Sequence, residues 1–573
     1  MRKYILREPV TQDIDEALAS HHPLIRAMLF ARGISDMEAS DKFLSPDYVS
    51  GLHDPYLMKD MEKVVERILK AIELNEKIGI YSDYDADGIP GAVVLHDFFK
   101  KINFANFINY IPLRNEEGFG LNNEAIKNLH THDVKLLITI DCGITDIEQV
   151  NTANELGIDV IITDHHIPGK KLPKAFGIIN PKQEGCLYPE KMLCGAGVIF
   201  KVVQALIKSG KFEWHDGQEK WLLDMVGLAT LSDMVPLLGE NRVFSYYGLK
   251  VLQKTPRVGL MKLFSLLKID QRTASEDDVA FMITPRLNAA SRMGIPHDAF
   301  NLMATTDEIE AGALAVHLDS KNDERKGVVG SMVKEIKKKI KDRGEVMKHV
   351  LVIGNPEWKP SLLGLVANSF SDEHNRPVFF WGREGNNGGT IIKGSCRAGG
   401  NTNVVELMEA VRDIFVDFGG HKGAGGFSIE QENIHTLEDK LNKAFLKINK
   451  NKKNEDSVLV DQKLTLDHAS WNIYRLIEKF APFGMDNPKP LFLFENIIVS
   501  KVKTFGKEQN HLELRFKNSK GEDVVAIAFF KTPEKFEIPV KEGNTINLVA
   551  TMEKSNFRNF PELRLRIVDI FSA

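Results

Sequence analysis

Between residues 78 and 179 the sequence repeats one pattern, a short apolar run followed by a stretch of helical period. The runs are Ile78-Gly79-Ile80, Phe107-Ile108-Asn109-Tyr110-Ile111, Leu136-Leu137-Ile138-Thr139-Ile140, Val160-Ile161-Ile162 and Gly177-Ile178-Ile179. Runs this short with little polar alternation read as strands buried on both faces, and their spacing by helices of about 10 to 15 residues implies a parallel α/β sheet. Three runs end in acidic residues: Asp83-Tyr84-Asp85-Ala86-Asp87-Gly88, then Asp141, then Asp164-His165-His166. Open parallel sheets place their sites at the carboxyl ends of the strands. The three clusters are therefore expected on one edge, together with Asp233 in Ala229-Thr230-Leu231-Ser232-Asp233-Met234-Val235-Pro236.

Alternating carboxylates at 83, 85 and 87 repel one another unless a cation neutralises them. An EF-hand calcium loop fits the first six positions but fails at the twelfth, where Val94 replaces the bidentate Glu. Hard carboxylates with one or two imidazoles and no thiolate suit Mn²⁺ or Mg²⁺ better than a structural zinc. The cluster of Asp83, Asp85, Asp87, Asp141, Asp164, His165, His166 and Asp233 offers more ligands than one octahedral ion needs, so two ions is the economical count. A two-metal centre clamps the attacking and leaving oxygens of an in-line phosphoryl displacement. Phosphoester hydrolysis is the expected reaction class.

At 573 residues, and at roughly 150 residues per domain, about four domains are expected. The divisions are a helical lead-in at 1–75, a catalytic α/β domain at 76–240, a helical connector at 241–345, a second α/β domain at 346–450 and a β-domain at 455–573. The connector ends in the lysine-rich run 334–343, a solvated face by default. The formal charge of −5 excludes a polycation that coats nucleic acid indiscriminately. Residues 501–573 nonetheless carry 13 Lys or Arg against 10 Asp or Glu. The four cysteines form no disulfide or zinc framework, no run reaches the length of a membrane span, and no apolar leader opens the chain. A soluble, monomeric, cytoplasmic protein with no membrane partner is expected.

The acidic clusters, with Pro168 after the Asp-His-His triplet, resemble the DHH phosphoesterase superfamily and within it the RecJ-type single-strand-specific exonucleases. Two further segments are similar to motifs of that family: Ile111-Pro112-Leu113-Arg114-Asn115-Glu116-Glu117-Gly118-Phe119-Gly120-Leu121, and Pro285-Arg286-Leu287-Asn288-Ala289-Ala290-Ser291-Arg292. Gly419-Gly420-His421-Lys422-Gly423-Ala424-Gly425-Gly426 reads alone as either a flexible loop or a backbone cradle for phosphate. It resembles the signature of the DHHA1 substrate-binding domain, as Ser395-Cys396-Arg397 resembles that domain's Ser-x-Arg loop. The chain departs from the family pattern at Lys359, commonly His, at Ser291, commonly Gly, and at Met485-Asp486 within the Gly484–Pro488 turn.

The resemblance implies a parallel-sheet DHH domain, a long helical connector, a DHHA1 domain and a C-terminal OB-fold β-barrel. It implies a metal-dependent 5′-to-3′ exonuclease on single-stranded DNA that releases 5′ mononucleotides in DNA repair and recombination, with Asp83, Asp85, Asp87, Asp141, His165, His166 and Asp233 catalytic. Arg114, Arg286, Asn288, Ser395, Arg397, Gly420 and His421 would contact the substrate, with Arg114, Arg286, Ser395 and Arg397 at its 5′ end. Phe557, beside phenylalanines 505, 516 and 560, would stack on bases. A helicase and a single-strand-binding protein are the expected partners. The competing readings are a phosphodiesterase of the same superfamily acting on short oligonucleotides or cyclic dinucleotides, which lacks an OB-like domain, and a non-catalytic DNA-binding scaffold, which would have lost its acidic ligands.

Overall fold

A computed structural model describes residues 3–344, 347–383, 390–400, 402–449, 457–555 and 561–572. The chain forms two compact units, one of Asp54–Asp233 with Gly248–Asn454 and the other of Met1–His53, Met234–Tyr247 and Glu455–Ala573.

The first unit contains strand β1 (Lys77–Ser82), helix α1 (Gly88–Lys101) and strands β2 (Phe107–Tyr110), β3 (Val134–Ile140), β4 (Asp159–Thr163) and β5 (Gly177–Ile179). They make a wholly parallel sheet in the order β2-β1-β3-β4-β5. Ile78, Ile80, Leu136, Ile138, Ile140 and Ile161 have no exposed surface. Helices cover both faces, so burying these strands drives the sheet together. Helices α2 (Gly195–Lys208) and α3 (Leu223–Ser232) pack against α1.

The connector ends in α4 (Thr284–Met293), preceded by the π-helical turn Val279–Ile283, and α5 (Glu308–Asp342). Asp307 caps α5 by accepting the N–H groups of Ile309 and Glu310, and its 35 residues span about 50 Å. The lysine run on α5 is more than a solvated face. Lys339 donates to the Gly354 carbonyl and Lys337 pairs with Glu373, so the connector is pinned to the next domain.

That domain comprises β6 (Leu351–Gly354), α6 (Pro360–His374), β7 (Val378–Gly382), β8 (Ile391–Arg397), β9 (Phe415–His421) and β10 (Ala424–Glu430). Its sheet runs β9-β10-β8-β7-β6. The glycine-rich segment is not the flexible loop of the first sequence reading. It is a β-hairpin in which Gly419, Gly420 and His421 pair with Gly426, Gly425 and Ala424, because its backbone groups find partners in an antiparallel ladder.

The second unit holds a closed barrel of β11 (Phe492–Phe505), β12 (His511–Lys517), β13 (Asp523–Ala528), β14 (Thr545–Ser555) and β15 (Glu562–Ser572). Its order is β11-β12-β13-β15-β14, and β11 pairing with β14 closes it. The sequence reading groups residues 1–75 as a lead-in to the catalytic domain, but residues up to His53 sort with this barrel unit. Leu24, Ile25, Met28, Leu29 and Phe43 share one core with Phe480, Phe492, Leu512 and Ile546, and Lys3–Leu6 pairs in parallel with Ser457–Val460. Such long-range pairing leaves no local signature in sequence. Phe516 is fully buried in this core, while Phe557 and Phe560 lie outside the described residues. Among the described residues, no helix is long and apolar enough to cross a membrane.

Candidate metal centre and adjoining cationic face

The turn after β1 is shaped by its own carboxylates. Asp85 Oδ1 accepts the N–H groups of Asp87 and Gly88 at 2.8 and 3.2 Å, and a Cβ on Gly88 would stand 2.4 Å from the Asp83 carbonyl oxygen. Only glycine therefore lets the chain turn into α1 there. Asp87 reaches across to the start of α2, accepting N–H groups from Gly195 at 2.5 Å and Ala196 at 2.8 Å. Asp141 follows β3 with φ of +63°, a left-handed conformation costly for a residue with a side chain. Its N–H bonds the Thr163 carbonyl, and a Cβ on Gly195 would come within 2.5 Å of the Asp141 Cβ.

The structure brings all seven candidate catalytic residues to this edge. Potential ligand atoms gather within 4.8 Å in three overlapping groups: Asp83 with Asp85 and Asp141, Asp87 with His165 and Asp233, and Asp141 with His165 and His166. His165 Nε2 lies 3.1 Å from Asp141 Oδ1 and 3.7 Å from both Asp87 Oδ2 and Asp233 Oδ2. Burial, reinforced by neighbouring carboxylates, pushes Asp83 and Asp141 well above the ordinary carboxylate range, Asp87 to about 7 and Asp233 to about 9. Burial and the charge of His166 hold His165 down at about 3, a neutral imidazole with a free lone pair. Buried oxygens on Asp83 and Asp141 have no hydrogen-bond partner. Orphaned acceptors, mutual repulsion and an all O/N donor set together fit hard divalent cations.

Asp164 does a different job. Its carboxylate accepts the N–H groups of His165, His166 and Ile144 at 2.7, 3.0 and 3.0 Å, and the His166 ring nitrogen Nδ1 at 2.8 Å. Burial would raise its pKa, but the His166 hydrogen bond and charge outweigh it and leave Asp164 below the ordinary range. The same bond overcomes burial at His166 and lifts it to about 9. Asp164 thus orients both histidines.

A cavity of about 220 Å³ adjoins the cluster, lined by Asp83, Asp85, Asp141, His166, Asp233, Tyr84, Arg114, Phe119 and Arg292. Arg114 stacks on Tyr84, 4.9 Å from the ring centroid. The sequence motif points to Arg286 as a substrate contact and gives no separate signal for Arg292. Arg286 is spent on Asp319, at 2.8 and 2.9 Å, and on the Met282 carbonyl. The two lie on one helix six residues apart, about 120° around its axis, so one faces the cavity and the other faces α5. Asn288 accepts the Ala86 N–H at 3.0 Å, steadying the acidic turn. Burial, with repulsion from Arg114, lowers Arg292 to about 9.

From the cavity Arg292 extends to the Ser361 carbonyl at the start of α6. Facing that helix, Arg397 Nη1 bonds Ser395 Oγ at 3.0 Å and its Nε bonds Asn368 at 3.1 Å. A Cβ on Gly364 would meet Arg397 Nη2 at 2.7 Å, so the missing side chain makes room for the guanidinium. Gly420 holds φ of +144°, with a Cβ barred by the Ala424 carbonyl oxygen at 2.3 Å. His421 is exposed, and its Nδ1 accepts the Gly423 N–H at 3.2 Å.

Three family models match the chain: the DHH family N-terminal domain over residues 77–230, the DHHA1 domain over 345–447 and the RecJ OB domain over 460–569. The single-stranded-DNA-specific exonuclease RecJ of Bacillus subtilis (strain 168) is 34% identical over 552 residues, covering 96% of this chain and 68% of the relative. The protein of that name from Haemophilus influenzae is 27% identical and covered over 96% of both chains. Among solved structures, RecJ from Thermus thermophilus in complex with Mn²⁺ superposes with a TM-score of 0.82 at 25% identity, covering all of this chain and 80% of the other. An exonuclease RecJ bound to manganese is 30% identical with a TM-score of 0.57, covering 67% of this chain and 94% of the other.

Proposed function

This chain belongs to the RecJ family of single-stranded-DNA-specific exonucleases, and we propose that it degrades single-stranded DNA from the 5′ end, releasing 5′ mononucleotides. The observation that carries this reading is Arg292, which lines the acidic cavity and also bonds the start of α6 beside Ser395 and Arg397. A grip for a terminal phosphate next to a metal cluster is the arrangement an end-dependent nuclease needs.

Asp83, Asp85, Asp87, Asp141, His165 and Asp233 would hold Mn²⁺ or Mg²⁺, two ions by the number of donors. Such ions supply Lewis acidity and a nucleophilic water at neutral pH. Asp87 keeps the acidic turn and α2 in register, and Asp164 fixes His165 and His166. His166, protonated through its bond to Asp164, stands where it can donate to a phosphate oxygen. Arg114 and Arg292 offer planar donor forks to the phosphates, and Phe119, half-exposed against the His166 ring, supplies an apolar face for a base. The barrel, matched by the RecJ OB domain model, would hold the trailing strand. Four free cysteines, all buried, suit a reducing cytoplasm. A helicase and a single-strand-binding protein are the partners that would supply such a strand.

The test uses one single-stranded DNA labelled at either end, incubated with Mn²⁺ or Mg²⁺, beside an Asp85→Ala variant. Mononucleotides released first from the 5′ label, and loss of release in the variant, are expected. Release from the 3′ end alone, or full activity in the variant, overturns the reading.

A further inference from the structure

Strand β2 ends at Tyr110, on the carboxyl edge of the sheet that carries the acidic cluster, and residues 111–121 then loop to the helix Asn123–Thr131. Arg114 and Phe119 of this loop line the cavity. Neither stands on a helix or strand, so what aims them is whatever ties the loop down. Arg114 lies on the Tyr84 ring, and Phe119 meets the His166 ring edge-on, with centroids 5.5 Å apart. Phe119 stands between Gly118 and Gly120, both at φ of +83°, a left-handed backbone that glycine adopts without strain.

Glu117 supplies the tie. Its Oε2 accepts the Leu113 N–H at 2.6 Å, while the Leu113 carbonyl accepts the N–H groups of Glu116 and Glu117 at 3.0 and 2.8 Å. Residues 113–117 thereby close on themselves with Arg114 inside the closed turn. Glu117 Oε1 accepts the Tyr110 hydroxyl at 2.6 Å and the Asn122 side-chain amide at 2.9 Å, which anchors the turn to the end of β2 and to the N-cap of the next helix. The far end of the loop is held separately, by the Tyr81 hydroxyl donating to the Gly120 carbonyl at 2.8 Å and by Asp146 accepting the Leu121 N–H at 2.7 Å. Glu117 itself does not line the cavity. Three donors converge on its two oxygens, and a carboxamide would turn an NH₂ group toward one of them.

We propose that Glu117 is a positioning residue whose carboxylate holds the turn that aims Arg114 and Phe119 over the metal cluster, and so sets how tightly a strand is gripped there. The inference rests on the exonuclease reading for the identity of that strand, and it adds a residue that acts on the grip without touching the substrate.

The experiment compares the full chain with Glu117→Gln, an isosteric change, and repeats the pair in a chain that carries Arg114→Ala and Phe119→Ala. The first readouts are kcat and KM on single-stranded DNA with Mn²⁺, and anisotropy binding of the same strand in EDTA. Loss of the charge-assisted hydrogen bonds that fix a gripping arginine should raise KM and weaken metal-free binding by about tenfold, with kcat changed by less than about threefold. In the chain lacking both side chains, Glu117→Gln should change either quantity by less than about twofold, because residues that act as one unit are not additive. Limited trypsin digestion, with cut sites identified by mass, reads the loop without DNA. The Arg114–Asn115 bond should be cut about fivefold faster or more in the glutamine variant. The same loss in both backgrounds, as from a general structural role, a fall in kcat with binding intact, or an unchanged rate of cleavage after Arg114 overturns the proposal. Should the full chain degrade no single-stranded DNA, the exonuclease reading itself fails, and the trypsin digestion still decides whether Glu117 orders the turn.

Discussion

At the carboxyl edge of the parallel sheet, buried carboxylates crowd together until burial and mutual repulsion push Asp87 to about 7 and Asp233 to about 9. A short way along the same cavity, guanidiniums crowd instead, and burial with repulsion from Arg114 brings Arg292 down to about 9. The two regions are electrostatic opposites built by one rule. Each groups like charges out of water, so each gains when a ligand of the other sign arrives. Their supports differ, however. The acidic side is fixed by short-range devices within the turns that bear it, including the Asp85 carboxylate on its own loop and Asp164 on its own histidines. The basic side is assembled from a connector helix, a helix start and a strand that lie far apart in sequence.

The largest expected effect comes from the acidic side. Asp141→Ala removes a donor shared by two of the three ligand groups, and losing metal stabilisation of several kcal/mol lowers kcat by about a thousandfold or more. Steady-state release of mononucleotides measures it, and a loss below tenfold would break the assignment. Next is Gly195→Ala, at a residue that offers no side-chain ligand but whose N–H bonds the Asp87 carboxylate. Its new methyl carbon would lie 2.5 Å from the Asp141 Cβ, so Asp141 must move, and a shift of that order costs about a hundredfold. Full activity in that variant would show that the acidic side tolerates slack.

On the basic side, Arg397→Ala should cost about tenfold to a hundredfold, since a bidentate charged contact contributes roughly 1.5–3 kcal/mol. The loss should fall on KM for strands with a 5′ phosphate and spare kcat at saturation. A fall in kcat alone would erase the division between a chemical side and a gripping side.

That contrast also explains what could be read in advance. Asp83, Asp85, Asp87, Asp141 and the Asp164-His165-His166 triplet stand at the ends of apolar runs, so strand pattern and residue type together placed them on one edge. Gly195 gave no such signal, because its requirement comes from a side chain 54 positions earlier that approaches only after folding. The Pro285–Arg292 segment offered two arginines, and only helical phase against a known neighbour separates Arg286, held by Asp319, from Arg292, which faces the cavity. The glycine-rich stretch at 419–426 was open to two readings because glycine composition is the same in a loop, a cradle and a tight hairpin. The sequence groups residues 3–53 with the catalytic domain rather than the barrel unit for a related reason. Apolar helices such as Pro23–Phe30 show which face is buried but not what covers it.

The smallest effect separates the two regions by stability alone. A carboxyl whose folded pKa is raised above its unfolded value binds more protons folded than unfolded, so its contribution declines as pH rises between the two values. For Asp87 that window runs from about 4 to about 7, and for Asp233 from about 4 to about 9. In EDTA, the catalytic domain should therefore lose stability as pH climbs through these windows, its melting temperature falling by a few degrees at about 2–4 °C per kcal/mol. Asp141→Asn, which removes one of the repelling charges, should raise the EDTA melting temperature by a similar amount while abolishing turnover. Mn²⁺ should stabilise the unmodified chain by binding only the folded cage, and should flatten the pH dependence by neutralising the charges that cause it. A melting temperature that rises with pH in EDTA, or an Asp141→Asn variant that melts lower than the unmodified chain, would mean that hydrogen bonds rather than a cation balance the cage.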